Sequence, residues 1–411
     1  MINFERFELD NGLKVIVHQD KSTPIVAINL LYDVGARDED PSRTGFAHLF
    51  EHLMFGGSVN IPDYDEVVEK AGGQNNAFTS NDITNYYITL PKENLEQAFR
   101  LESDRMLSLA FTSKSLEVQR QVVIEEFKQN YLNQPYGDIH LLLRPLAYQK
   151  HPYQWPTIGK EVSHIENATM QQVKDFFYKH YAPNNAILVV AGDVDADQIK
   201  TLAQKWFGPI ERRAVPVRNL PKEPRQTKAR KLEVERDVPI DVLYKVFHIC
   251  ARTDKDFYAT DLISDLLSRG NSSRLYNSLV KDQKLFSEVD AFVGGELDKG
   301  LFYIAGKLAS GVTMIQAEAG IDAELEKLKS VLVEENELRK VKNKVISAQL
   351  FSELNVLNKA MSLATSELMG DPNLVNNEIA FYEEVKASEM QNIAIDIFRK
   401  ENSNTLYYKA K

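Results

Sequence analysis

The feature that most restricts the fold is a long-period echo between the two halves of the chain. Pro24-Ile25 and Ala36-Arg37 return as Pro239-Ile240 and Ala251-Arg252, each pair 215 positions downstream. In both halves the stretch between the pairs reads as one hydrophobic strand of equal length. Met170-Gln171 before a helix and Asn185 before a strand are echoed by Met390-Gln391 and Asn404, at shifts of 220 and 219. An echo of this length marks one structural unit that has been copied. A chain of 411 residues also exceeds what a single core usually organises. The expectation is an α+β protein of two homologous domains, residues 1–210 and 232–411, each a mostly antiparallel sheet packed with helices. Residues 211–231 carry Pro216, Pro221 and Pro224, with eight Lys or Arg against two Glu. They read as a solvated linker that also touches acidic surface.

The first copy contains a run that the second lacks. In Gly45-Phe46-Ala47-His48-Leu49-Phe50-Glu51-His52-Leu53-Met54-Phe55, His48, Glu51 and His52 stand at i, i+3 and i+4, on one helical face. Two neutral imidazoles one turn apart suit a zinc ion, and a glutamate beside them is placed to take a proton from water. This is the inverted zincin spacing. The other positions are apolar, so the helix is expected to be buried, and buried polar side chains need partners. A shift of 215 sets Ile263, Leu266 and Leu267 opposite His48, Glu51 and His52. Packing alone is satisfied by aliphatic residues there, so the polar triad of the first copy points to chemistry. His18, His140, His151, His164, His180 and His248 are isolated by comparison and read as surface or hydrogen-bonded histidines.

Zinc hydrolases usually take three protein ligands and leave one position open. Arg120-Gln121-Val122-Val123-Ile124-Glu125-Glu126-Phe127 offers two adjacent carboxylates among apolar residues. Periodicity cannot choose between Glu125 and Glu126, which point about 100° apart on a helix. The cysteine count narrows the donor set. Cys250 is the only cysteine, which excludes internal disulfides and a thiolate-rich metal site.

A formal net charge of −10 argues against nucleic acid as the main partner. No apolar run approaches the roughly 20 residues of a membrane span. The opening Met1-Ile2-Asn3-Phe4-Glu5-Arg6 passes directly into a strand-like pattern, with none of the features of a signal peptide. The expected location is cytoplasmic in a bacterium, or periplasmic where a leader has been removed.

Three stretches together resemble a known family: His48-x-x-Glu51-His52, Gly73-x-Asn75-Asn76-Ala77-Phe78-Thr79, and Arg120-x-x-Val123-x-x-Glu126. They are similar to the pitrilysin and mitochondrial processing peptidase family of inverzincins, over essentially the whole chain and most densely over residues 5–210. In length the chain resembles the short two-domain members, which pair into a clam-like chamber. The resemblance implies a zinc endopeptidase of unstructured peptides or presequence-like segments, with His48 and His52 as Zn2+ ligands and Glu51 as general base. It implies Glu126 as third ligand, six residues after Arg120. Where many members carry an acidic residue before that arginine, this chain has Gln119.

The resemblance also implies that substrate peptide adds as an extra strand beside Asn76, Ala77 and Phe78, and backbone pairing of this kind suits extended chains. Members competent as single chains carry an arginine and a tyrosine, seven residues apart, in the half without zinc. Val280 and Ser287 occupy those places here, and Arg274 and Tyr276 lie nearby at the wrong spacing. The expected partner is therefore a homologous zinc-less subunit that supplies the pair in a heterodimer. The competing readings are a non-catalytic scaffold subunit of the same fold and a zinc-dependent peptide binder without turnover.

Overall fold

In the computed structural model, which describes residues 1–411, the β-branched and aliphatic runs form the interiors of two sheets. In the first unit, Glu5–Glu8 (β1) and Lys14–Gln19 (β2) flank the Asn11-Gly12 turn. Gly12 sits there at φ +88, a conformation glycine adopts without steric penalty. Ile25–Tyr32 (β3), Gln74–Thr79 (β4), Thr84–Pro91 (β5) and Ala186–Gly192 (β6) complete a sheet ordered β1-β2-β6-β3-β5-β4. The second unit holds Arg230–Arg236 (β7), Val242–His248 (β8), Phe286–Val293 (β9), Leu301–Leu308 (β10) and Ser403–Ala410 (β11). Their order is β7-β11-β8-β10-β9. With β1 set aside, the two sheets match strand for strand. Each has one parallel pair, β2 with β6 and β7 with β11, at the same place in an otherwise antiparallel sheet. The duplicated α+β architecture is thus present, and no helix is long and apolar enough to cross a membrane.

Strand register aligns the copies residue by residue. Tyr32 lies opposite Ala186, and its counterpart Phe247 lies opposite Ser403. The asparagine before each partner makes the same two bonds. Asn185 Nδ2 donates to the carbonyls of Asp33 and His180 at 3.1 and 2.8 Å. Asn402 Nδ2 donates to those of His248 and Ile397 at 3.0 and 2.8 Å. The counterpart of Asn185 is therefore Asn402 rather than Asn404, because the loops between strands differ in length and the shift drifts along the chain.

The units are not the contiguous stretches 1–210 and 232–411. One comprises Met1–Asn133, Trp155–Pro221 and Leu350–Asn376; the other Gln134–Gln154, Lys222–Gln349 and Asn377–Lys411. Two equivalent helices have changed places. Ile139–Ala147 packs Ile139, Leu143 and Ala147 on Val242, Val246, Leu301 and Tyr303 of the second sheet. Val356–Leu368 packs Val356, Ala360, Leu363 and Ala364 on Ile16, Ala27, Leu31 and Val189 of the first. Each sheet face is too apolar to remain open, and the helix that covers it comes from the other half of the sequence. The basic stretch expected to touch acidic surface does so through side chains. Arg218 pairs with Asp33 and Asp38 at 3.0 and 2.8 Å. Arg225 pairs with Asp396 at 3.0 Å.

His180, which ends the Met170–His180 helix, is 6% exposed, and its Nε2 has no hydrogen-bond partner. Burial pushes its pKa down from 6.5 to about 4, and the mixed charges of Asp38, Lys179, Arg218 and Asp33 do not offset this. As pH falls from about 6.5 to about 4, the unfolded chain takes up a proton that folded His180 refuses, so stability drops across that window. The expected loss is on the order of 3 kcal/mol. Urea unfolding at neutral pH and near pH 4.5 checks this: the stability difference between the two shrinks in His180→Leu, whereas an unchanged difference refutes it.

Candidate metal centre

The helix Phe46–Leu53 starts from Gly45, whose φ of +91 and near contact with the Ile158 carbonyl (2.6 Å from where a Cβ would stand) leave no room for a capping side chain. The cap comes instead from Glu39. Its Oε2 accepts from the Gly45 N–H at 2.9 Å and from Trp155 Nε1 at 3.0 Å, and its Oε1 accepts from the Ala47 N–H at 2.9 Å. Burial pushes the Glu39 carboxyl up to about 8 against the opposing pull of those three donors. Phe46, Leu49, Phe50 and Leu53 are buried, and Phe50 stacks on Phe176, Phe177 and Tyr181. The remaining face carries His48, Glu51 and His52, all half-buried.

Opposite that face runs the helix Ser113–Phe127, anchored by buried Leu116, Val123, Ile124 and Phe127. These anchors turn Glu126 inward. Its Oε2 lies 3.6 Å from His48 Nε2 and 3.5 Å from His52 Nε2. One ligand atom from each of the three residues lies within 4.8 Å of the others. Glu125 points away and pairs with Lys128 at 2.7 Å. The geometry therefore separates the two carboxylates that periodicity could not.

Burial pushes His48 down to about 4, the nearby Glu126 charge opposing and His52 assisting, so its ring is a neutral donor at neutral pH. Its Nδ1 is buried without a hydrogen-bond partner. The bond with His52 is the largest cause that holds Glu126 below the usual carboxylate range. Two imidazole nitrogens and one carboxylate oxygen, converging on one point, fit the donor set of a zinc ion with a position left for water. Glu51 is raised by burial, with the Thr79 hydroxyl and main-chain N–H pulling the other way.

Asn76, Ala77 and Phe78 lie on β4, the outer strand of the first sheet, which is paired on its β5 side only. Phe78 is 41% exposed, and the Asn76 Oδ1 accepts from the Ala77 N–H at 2.8 Å. Sequence reading missed Thr79 as a site residue. Its Oγ1 donates to Glu51 Oε2 at 2.7 Å. The run Asn75-Asn76-Ala77-Phe78-Thr79 was visible, but the contact depends on sheet register across 28 residues. In the second unit, Ile263, Leu266 and Leu267 on the helix Phe257–Ser268 are 0% exposed and sit in the core. Val280 packs against that core, Ser287 Oγ donates to the Lys307 carbonyl at 3.2 Å, and Arg274 is paired with Glu337 at 2.6 Å.

Known proteins are similar to this chain in sequence and fold. Residues 14–161 match the family described as insulinase (peptidase family M16), and residues 167–345 match the family described as peptidase M16 inactive domain. The second match includes the helix with Ile263, Leu266 and Leu267 in place of the polar triad. Zinc protease PqqE of Helicobacter pylori is 32% identical over 417 residues, covering 98% of this chain and 92% of the relative. The beta subunit of the Saccharomyces cerevisiae mitochondrial-processing peptidase is 28% identical over 213 residues, covering 49% of this chain and 46% of that one. The crystal structure of a protease from Helicobacter pylori superposes with a TM-score of 0.94 at 30% identity, covering 100% of both chains. With the duplicated sheets, the His48-x-x-Glu51-His52 helix and these similarities in hand, the chain belongs to peptidase family M16, a family of zinc metalloproteases.

Proposed function

We propose that this protein is a zinc-dependent endopeptidase of unstructured peptides or presequence-like segments. The observation that carries the reading is the convergence of His48 Nε2, His52 Nε2 and Glu126 Oε2 beside the Glu51 carboxylate. Zinc, which His48, His52 and Glu126 would hold, would supply Lewis acidity. The rest falls to side chains. Glu51 takes a proton from the attacking water and returns it to the leaving nitrogen, so the elements of water divide between a new carboxyl and a new amine. Its burial makes the carboxylate a better proton acceptor. Asn76, Ala77 and Phe78 on the open edge of β4 offer main-chain groups to an extended peptide, a mode that favours segments without structure of their own. Val280 and Ser287, neither able to grip a substrate backbone by charge, support a homologous zinc-less subunit that brings an arginine and a tyrosine.

The test is hydrolysis of a fluorescence-quenched unstructured peptide, by the chain alone and by the complex isolated from its native host. Cleavage that a chelator stops and zinc restores is expected. An intact peptide in both preparations, with zinc bound, overturns the peptidase. Full turnover by the isolated chain overturns only the partner.

A further inference from the structure

The outer strand pair, β4 with β5, is joined to the metal helix at two successive helix residues, Phe50 and Glu51. Tyr86 on β5, fully buried, donates its hydroxyl to the Phe50 carbonyl at 3.4 Å. Thr79, the last residue of β4, donates its hydroxyl to Glu51 Oε2 at 2.7 Å. Thr79 is itself held in register opposite Thr84, whose hydroxyl is buried and bonded to the Val34 carbonyl at 2.9 Å. The end of β4 is thus fixed to the core while Asn76 to Phe78 remain on the open side. The terminal torsion of a glutamate is a broad, nearly two-fold rotor. A base on such a rotor presents its oxygen in the right direction only part of the time unless one oxygen is held.

Resting on the peptidase reading above, we propose that Thr79 is the positioning residue for Glu51. By pinning Oε2 from the strand that receives the peptide, it leaves Oε1 as the proton acceptor and sets the base in register with the bound backbone. A threonine suits both duties. Its β-branch favours the strand, and its hydroxyl supplies a donor that rotates to suit the carboxylate.

The experiment compares Thr79→Val and Thr79→Ser in the zinc-loaded protein under the conditions that give peptide cleavage. Valine keeps the branched shape and the main-chain N–H that also acts on Glu51, and removes the hydroxyl donor. A hydrogen bond to a charged group is expected to be worth about tenfold to a hundredfold in rate. Thr79→Val is therefore expected to lower kcat by about that factor with KM unchanged, and Thr79→Ser to regain most of it. Two readouts besides activity accompany this: zinc content, and the affinity of a labelled peptide for the zinc-stripped protein by fluorescence anisotropy. Both are expected to match wild type in Thr79→Val. A wild-type kcat in Thr79→Val, a loss carried by KM or by zinc content, or a serine variant as slow as the valine variant each overturns the inference. Absence of cleavage by zinc-loaded wild type strikes the peptidase reading itself, so the two failures are distinct.

Discussion

Glu51→Gln is expected to keep its zinc and to lose about 10²–10⁴-fold in peptide hydrolysis, the range a positioned general base contributes. Glutamine has the same shape and its side-chain oxygen still accepts from the Thr79 hydroxyl, which now stands 2.7 Å from Glu51 Oε2. The amide cannot take the proton of water. Nor does the change disturb the metal donors, because His48, His52 and Glu126 converge without Glu51. Stability is expected to hold or to rise slightly, since burial disfavours the Glu51 charge. The measurement pairs initial rates on a quenched peptide with metal content by mass spectrometry. Wild-type rates in zinc-loaded Glu51→Gln would assign the proton transfer to another group.

The largest expected effect on stability lies at a buried ion pair in the same unit. Arg105 is 1% exposed and Glu102 0%. Arg105 Nε donates to Glu102 Oε2 at 2.8 Å, and the Tyr64 hydroxyl donates to Glu102 Oε1 at 2.9 Å. The guanidinium lies over the rings of Tyr86, Tyr64 and Phe55, at 4.2, 4.8 and 5.7 Å from their centroids. Arg105→Ala removes these contacts and leaves the Glu102 charge buried with no cation, which is expected to destabilise the first unit by about 3–5 kcal/mol. For a unit of this size the midpoint of thermal unfolding falls by about 6–20 °C. The double variant Arg105→Met, Glu102→Leu is expected to recover much of that loss, because a pair replaced by packed apolar groups leaves no orphan charge. A double variant as unstable as the single one would place the effect in lost packing rather than in the unpaired carboxylate.

What could be read from the residues was whatever is local or copied. His48, Glu51 and His52 fall on one face by helical period alone. The hydrophobic strand between Pro24-Ile25 and Ala36-Arg37 and its copy after Pro239-Ile240 are short-range patterns, and both strands are present. What escaped depends on contacts far apart in the chain. Which of Glu125 and Glu126 faces the histidines is decided by the packing of Val123, Ile124 and Phe127, not by the local pattern. The exchange of the Ile139–Ala147 and Val356–Leu368 helices is invisible because either helix has an apolar stripe that suits either sheet, and Pro145 within the first obscures its helical period. Thr79 belonged to a noticed strand, yet its bond to Glu51 exists only once β4 is set beside the metal helix.

Zinc counting on chelator-stripped, re-loaded protein bears most directly on the centre built from His48, His52 and Glu126. One zinc per wild-type chain is expected, with none retained by His52→Ala after dialysis, and sharply weakened binding in Glu126→Ala while Glu125→Ala stays at one equivalent. Zinc held by His52→Ala as tightly as by wild type would contradict the centre, and with it the assignment of these three side chains.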